Sequence, residues 1–214
     1  MGKINKGSGI LGGFSGTVGA VVGSNWRGIE TMRAVAKPRK GGSTPGQIDQ
    51  QIKFALATKF LSSKRDLLEI CYRDFAVEMT GTNRAVSHML MHAITGVSPN
   101  FTIDYSKVML SRGSLFAPEH AVAAPGAAGN VSFTWANSML TGKATGTDKA
   151  IFVVYCETTN TSVYTMAGAP RSALAGTLAV PGFSGKTVQT WMAFISADNK
   201  RISNSVFAGQ INVL

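Results

Sequence analysis

The pattern of apolar positions along the chain changes its period twice. Between Ile48 and Ile94 apolar residues recur at helical spacing. From Phe101 onward they alternate with a period of two, and before residue 44 glycine interrupts any pattern. Ile48, Ile52, Leu56 and Phe60 make one four-residue stripe. It is preceded by Thr44 as N-cap, Pro45 at the first helical position and Gln47 closing a capping box. A second apolar segment holds Leu67, Leu68, Ile70, Cys71, Phe75 and Met79 and is broken by Gly81. A third helix is expected from Thr82 or Asn83, burying Val86, Met89, Leu90, Ala93 and Ile94, with Gly96 as its stop and Pro99 beyond. Residues 131–135, 149–156, 162–166, 176–181, 187–197 and 205–213 read as strands separated by turn residues, which predicts an antiparallel β-sandwich.

The first 43 residues follow neither period. Glycines at 7, 9, 12, 13, 16, 19, 23 and 28 rule against a helix, each costing about 1 kcal/mol relative to alanine. Val18, Ala20 and Val22 suggest one strand, Ile29, Thr31, Arg33 and Val35 a second, and Ser24–Gly28 the turn of a hairpin. A lone hairpin is marginal in water, so this one is expected to dock on the rest of the protein or on another chain. The expected fold is α+β: a Gly-rich basic arm or hairpin (1–43), a three-helix segment (44–100) and a C-terminal antiparallel sandwich (101–214).

Composition excludes several classes. At 44% hydrophobic residues, the 214-residue chain is not disordered throughout. Two cysteines cannot form a disulfide framework, and no apolar run approaches the roughly 20 residues of a membrane span. The start, Met-Gly-Lys-Ile-Asn-Lys, has no secretory h-region, so the expected setting is the cytoplasm, or a virion if the gene is phage-encoded. Net charge adds a sharper point. The chain carries 21 Lys and Arg against 11 Asp and Glu, and more than half of the +10 excess lies in residues 1–40. There Lys3, Lys6, Arg27, Arg33, Lys37, Arg39 and Lys40 face a single acid, Glu30. Such asymmetry points to a nucleic acid or to an acidic surface on another subunit, with Trp26 available to stack on a base.

Motifs for chemistry fail on context. Gly7-Ser-Gly9-Ile-Leu-Gly12 matches G-x-G-x-x-G but lacks the strand before and the helix after that a dinucleotide site needs. Gly185-Lys186-Thr187 lacks the first glycine of a phosphate loop, since position 180 is Val180, and reads as a hairpin turn. His88 and His92 share a helix face, yet Met89 stands where a metalloprotease needs Glu. Cys71 and Cys156 sit in apolar segments and read as buried small hydrophobes. Glu69, Asp74 and Glu78 read as a solvated helix face with Lys64, Arg65 and Arg73. Met79, Met89 and Met91 read as core filling or an adaptable surface. No catalytic set, metal site or cofactor is expected.

Trp191-x-Ala193-x-Ile195-x-Ala197-x-Asn199 followed by Ser203 resembles the penultimate strand of fibronectin type III-like domains, and Trp135 matches the Trp of their early strand. Trp191 stands where Tyr is usual. The resemblance covers about residues 115–214 and implies a spacer or interaction module. Three longer stretches, at 9–33, 93–115 and 188–207, resemble a family of uncharacterised proteins from Bacteroidota, which implies no activity. The layout of basic arm, helices and sandwich is similar to that of phage virion and other self-assembling proteins. The expectation is a non-enzymatic, homo-oligomeric structural protein whose subunits meet through the arm. The alternative is a sequence-independent nucleic-acid-binding protein.

Overall fold

The structure, a computed structural model, describes residues 14–26, 28–38, 41–75, 79–136 and 144–214, and residues 2–3 by their backbone. It divides into two compact units, Met1–Pro45 and Gly46–Leu214.

The larger unit opens with α1 (Pro45–Ser62), α2 (Arg65–Cys71) and α3 (Gly81–His92). A small hairpin, β5 (Ile94–Val97) with β6 (Asn100–Ile103), follows, and then the sandwich. Helix α1 begins at Pro45 as expected. Helix α3 starts at Gly81, where Thr80 is the N-cap and its Oγ1 accepts the Asn83 N–H at 3.0 Å. Glu69 adds a second cap: its carboxylate accepts the N–H groups of Gly81 (3.0 Å) and Thr82 (3.2 Å). A negative charge at a helix N-terminus is favoured by the helix dipole. The α3 stop differs from expectation. The helix ends at His92 with Ala93 as C-cap, and Gly96, at φ +96°, lies in β5 instead.

Seven strands build the sandwich: β7 (Glu119–Pro125), β8 (Asn130–Ala136), β9 (Lys149–Cys156), β10 (Thr161–Thr165), β11 (Ala175–Ala179), β12 (Thr187–Ile195) and β13 (Val206–Asn212). One sheet has the order β11-β8-β7 and the other β10-β9-β12-β13, all antiparallel. Three strands face four, with the fourth strand in sequence added beside the third. That is the strand arrangement of a fibronectin type III-like sandwich, and the α+β class with a three-helix middle stands. Strand β7, Glu-His-Ala-Val-Ala-Ala-Pro, escapes sequence reading because it has only one β-branched residue.

Strands β9 and β12 are apolar on both faces. Ala150, Phe152, Val154 and Cys156 of β9, with Val188, Met192 and Phe194 of β12, point into the space between the sheets, against Val131, Phe133 and Leu178. The alternate residues Ile151, Val153, Tyr155, Trp191, Ala193 and Ile195 point the other way, against Phe60, Leu61, Leu67, Leu68 and Met89 of the helices. The helices therefore form a third layer on the four-stranded sheet. Trp191 belongs to this outer core, with ring centroids 5.9 Å from Phe60, 6.1 Å from Tyr105 and 5.6 Å from Phe207. Its buried indole N–H has no hydrogen-bond acceptor among the described residues, whereas the tyrosine of a tyrosine corner bonds its hydroxyl to the backbone.

Two charged sites are buried in these layers, an ion pair and a lone amine. Arg171 and Asp148 pair at 3.1 Å, both fully buried. Arg171 also donates to the Phe116 carbonyl at 2.9 Å, and its guanidinium lies over the Phe194 ring at 3.7 Å. Asp148 accepts from the Thr145 hydroxyl at 2.8 Å. The second is Lys64, which the sequence places on a solvated face. The structure corrects this: Lys64 is fully buried at the α1–α2 junction. Its Nζ donates to the Phe60 carbonyl at 2.6 Å and lies 3.7 Å and 4.1 Å above the Phe60 and Tyr155 rings. Leu61 must turn inward here, so the following short turn carries Lys64 in with it.

Two outcomes follow. Asp148→Asn leaves a buried guanidinium without its counter-charge and is expected to lower unfolding free energy by about 3–5 kcal/mol, measured by urea denaturation. Burial pushes the Lys64 amine well below its ordinary value. Between that lowered value and the unfolded-chain value of about 10.4, the unfolded state binds more protons, so stability rises with pH. Wild type is expected to gain stability relative to Lys64→Met on going from pH 7 to pH 10, with a slope of at most about 1.4 kcal/mol per pH unit. Parallel curves for the two proteins would contradict it.

Candidate functional site

The candidate site lies in the smaller unit, a four-stranded antiparallel sheet of order β1-β4-β3-β2. Its strands are β1 (Gly2–Lys3), β2 (Gly16–Val18), β3 (Val21–Trp26) and β4 (Ile29–Ala34). Valine, isoleucine and threonine favour the extended chain. Gly19, at φ +57°, takes the left-handed position that turns β2 into β3. The expected hairpin is present as β3–β4: β4 starts at Ile29 as expected, while β3 runs on to Trp26, through part of the segment expected as the turn. At this end Asn25 Oδ1 accepts the Gly28 N–H at 3.2 Å. At the other end the Val35 N–H donates to the Ala20 carbonyl at 2.9 Å. Val18 lies in β2 and Val22 in β3, so the single strand face expected from Val18, Ala20 and Val22 does not exist.

Register sorts the side chains onto two faces. The pairs Trp26–Ile29, Ser24–Thr31 and Val22–Arg33 lie on one face, with Thr17 opposite Val22. The Ser24 and Thr31 hydroxyls are 2.7 Å apart. The other face carries Val21 with Ala34, Gly23 with Met32, Asn25 with Glu30, and Val18 beside Val21. Phe14 packs over Gly23 so closely that a Cβ there would meet its ring and carbonyl at 2.6 Å. Gly23 is the single buried residue among the described residues of 14–45. Val18 is 67% exposed and Trp26 58%.

Of the residues expected to bind an anionic partner, Trp26 and Arg33 are brought to one face, exposed. Lys37 is exposed just beyond β4. The Lys3 backbone pairs with Thr31. Lys6, Arg27, Arg39 and Lys40 lie outside the described residues. Neither Arg33 nor Lys37 pairs with an acid among the described residues.

Other candidates are less coherent. The His88 and His92 rings stand 4.6 Å apart. Burial, then His92, Arg112 and Arg84, hold the His88 pKa down. The described residues hold no group of three or more side chains that could ligate a metal. Cys71 and Cys156 are both free and buried, and burial lifts the Cys71 thiol to about 12. Gly185-Lys186-Thr187 leads into β12, not a helix, and Lys186 Nζ donates to the Gly182 carbonyl at 3.1 Å. The methionine surface is divided: Met89 is core, while Met91 is exposed in a groove of about 460 Å³ with Phe54, Val86 and Leu90. Sequence reading missed this groove because Phe54 falls off the Ile48–Phe60 stripe. No helix is long and apolar enough among the described residues to cross a membrane.

Comparison with known proteins adds the following. No curated protein matches the chain. Among solved structures, the fn3 domain of the human collagen alpha-1(XX) chain is similar, with 16% identity, 47% of this chain and 89% of that chain covered, and a TM-score of 0.32. The sandwich assignment rests instead on the strand order described above. The model of a family described as being of unknown function, DUF6266, matches residues 13–209. The chain therefore belongs to the DUF6266 family.

Proposed function

We propose that this is a non-enzymatic structural protein that self-associates through its N-terminal sheet, with a homo-oligomer as the working form. The carrying observation is a four-stranded sheet in which Gly23 is the single buried residue among the described ones, with Val18 exposed and Val21 and Met32 half-buried on the face where Phe14 packs. A sheet gains independent stability from an apolar face that is covered. Among the described residues, neither outer strand, the two-residue β1 nor the three-residue β2, has a partner on its far side, and an open edge is a template for pairing with a second chain. The sandwich, by contrast, has two full cores of its own. A Bacteroidota source and a phage-virion setting belong to the same proposal, supported by the sequence resemblance and by the layout of basic arm, helices and sandwich.

Light scattering after size exclusion tests this. Wild type is expected to exceed the 22.5 kDa of one chain as its concentration rises. Val18→Asp, at an exposed position, is expected to move the mass toward one chain. A wild-type mass of one chain at every concentration would overturn the proposal.

A further inference from the structure

We infer that the Trp26–Arg33 face of the N-terminal sheet is a platform for single-stranded nucleic acid, bound by stacking and phosphate contact without sequence reading. This face is opposite to the one that carries Val18, Val21 and Met32, so the inference does not rest on self-association.

Three observations carry it. First, the register lays an exposed indole, a row of hydroxyls and an exposed guanidinium along one face: Trp26, then Ser24 with Thr31, then Arg33. Alternate residues of a strand are about 6.7 Å apart, so Trp26 and Arg33 stand on the order of 13 Å apart along the sheet. A strand of nucleic acid lying along the face meets a stacking surface, a polar pair of mutually hydrogen-bonded hydroxyls and a positive charge in turn. Bases stack on aromatic rings with little regard to sequence, while cations track the backbone. Second, the sequence of this segment is one-sided in charge: residues 1–40 hold seven cations and one acid. Lys37 extends the charge past β4 and is exposed. Third, the rest of the chain offers a poor acidic counterpart. Asp148 is buried against Arg171, and Glu69 is engaged with the start of α3. The described residues hold no cluster of three or more acidic side chains close enough to share an ion. Among the described residues a second copy thus presents scattered acids, not a cluster, to this face.

An anionic membrane would also attract cations and a tryptophan. It would call for a broad apolar face to insert, whereas Trp26 and Ile29 are followed by Ser24, Thr31 and Thr17.

Fluorescence anisotropy of a fluorescein-labelled oligothymidine of about 20 nucleotides, titrated with the full chain, tests the inference; a site of this kind spans about 4–16 nucleotides. Binding at low salt is expected, weakening as salt rises. Trp26→Ala is expected to weaken binding about 5-fold to 100-fold with the salt slope unchanged, and Trp26→Phe to retain most of it. The double change Arg33→Ala and Lys37→Ala is expected to reduce the slope of log affinity against log salt by about 0.7 for each phosphate contact removed. Circular dichroism melts of the variants that match wild type exclude misfolding as the cause. No anisotropy change at low salt, equal binding by Trp26→Ala, tighter binding to a duplex of the same length, or preferential binding to phosphatidylserine vesicles would each overturn it.

Discussion

The burial of β9 and β12 on both faces is the constraint from which most of the larger unit follows. A strand of a simple two-layer sandwich needs one apolar face and one polar face. These two strands have no polar face to give to water: odd and even positions alike are apolar from Ala150 to Cys156 and from Trp191 to Ile195. The three-stranded sheet covers one side, and a second cover is required on the other. Helices α1 to α3 supply it through Ala57, Phe60, Leu61, Leu67, Leu68 and Met89. The helices and sandwich are one packing unit for this reason, and removing either would expose several large side chains to water at about 25 cal/mol per Å².

Polar groups sit at the margins of these layers and join segments distant in sequence. The Arg171–Asp148 pair gathers the 116 and 145–148 loops at one end of the sandwich. Ser205 Oγ accepts the Leu110 N–H at 2.8 Å, and Ser111 Oγ donates to the Ser203 carbonyl at 2.8 Å, strapping the segment after the helices along the β12–β13 connection. Arg73 reaches the Asn199 and Lys200 carbonyls at 3.2 and 2.8 Å. Lys64 is different in kind, an amine held by the Phe60 carbonyl, the Ser63 hydroxyl and two ring faces, with no carboxylate paired to it among the described residues.

Much of this architecture is legible in the residues, and the failures have physical causes. Strand β9 runs over the eight residues expected of it because β-branched and aromatic residues dominate it. The hairpin of β5 and β6 is missed because Gly96 and Pro99 are as good a helix stop as a turn. Lys64 is misplaced because helical periodicity assigns faces only while the helix continues, and α1 ends at Ser62. The third layer is legible only in part: a strand without a polar face shows that something must cover it, but not that the preceding helices do. In the N-terminal sheet, glycine content shows the absence of helix, whereas the grouping of Trp26 with Arg33 depends on register, which short turns fix and composition does not.

The two units thus differ in how their stability arises. The helix-and-sandwich unit closes on its own cores, while the N-terminal sheet offers one apolar face, one aromatic and cationic face and, among the described residues, two open edges. On the proposed self-association, the stability of this sheet is tied to what binds it. Hydrogen exchange measured over a range of protein concentration tests this most directly. The account predicts that amides of β3 and β4 become more protected as concentration rises, while those of β9 and β12 stay unchanged. Protection of β3 and β4 that is independent of concentration would contradict it.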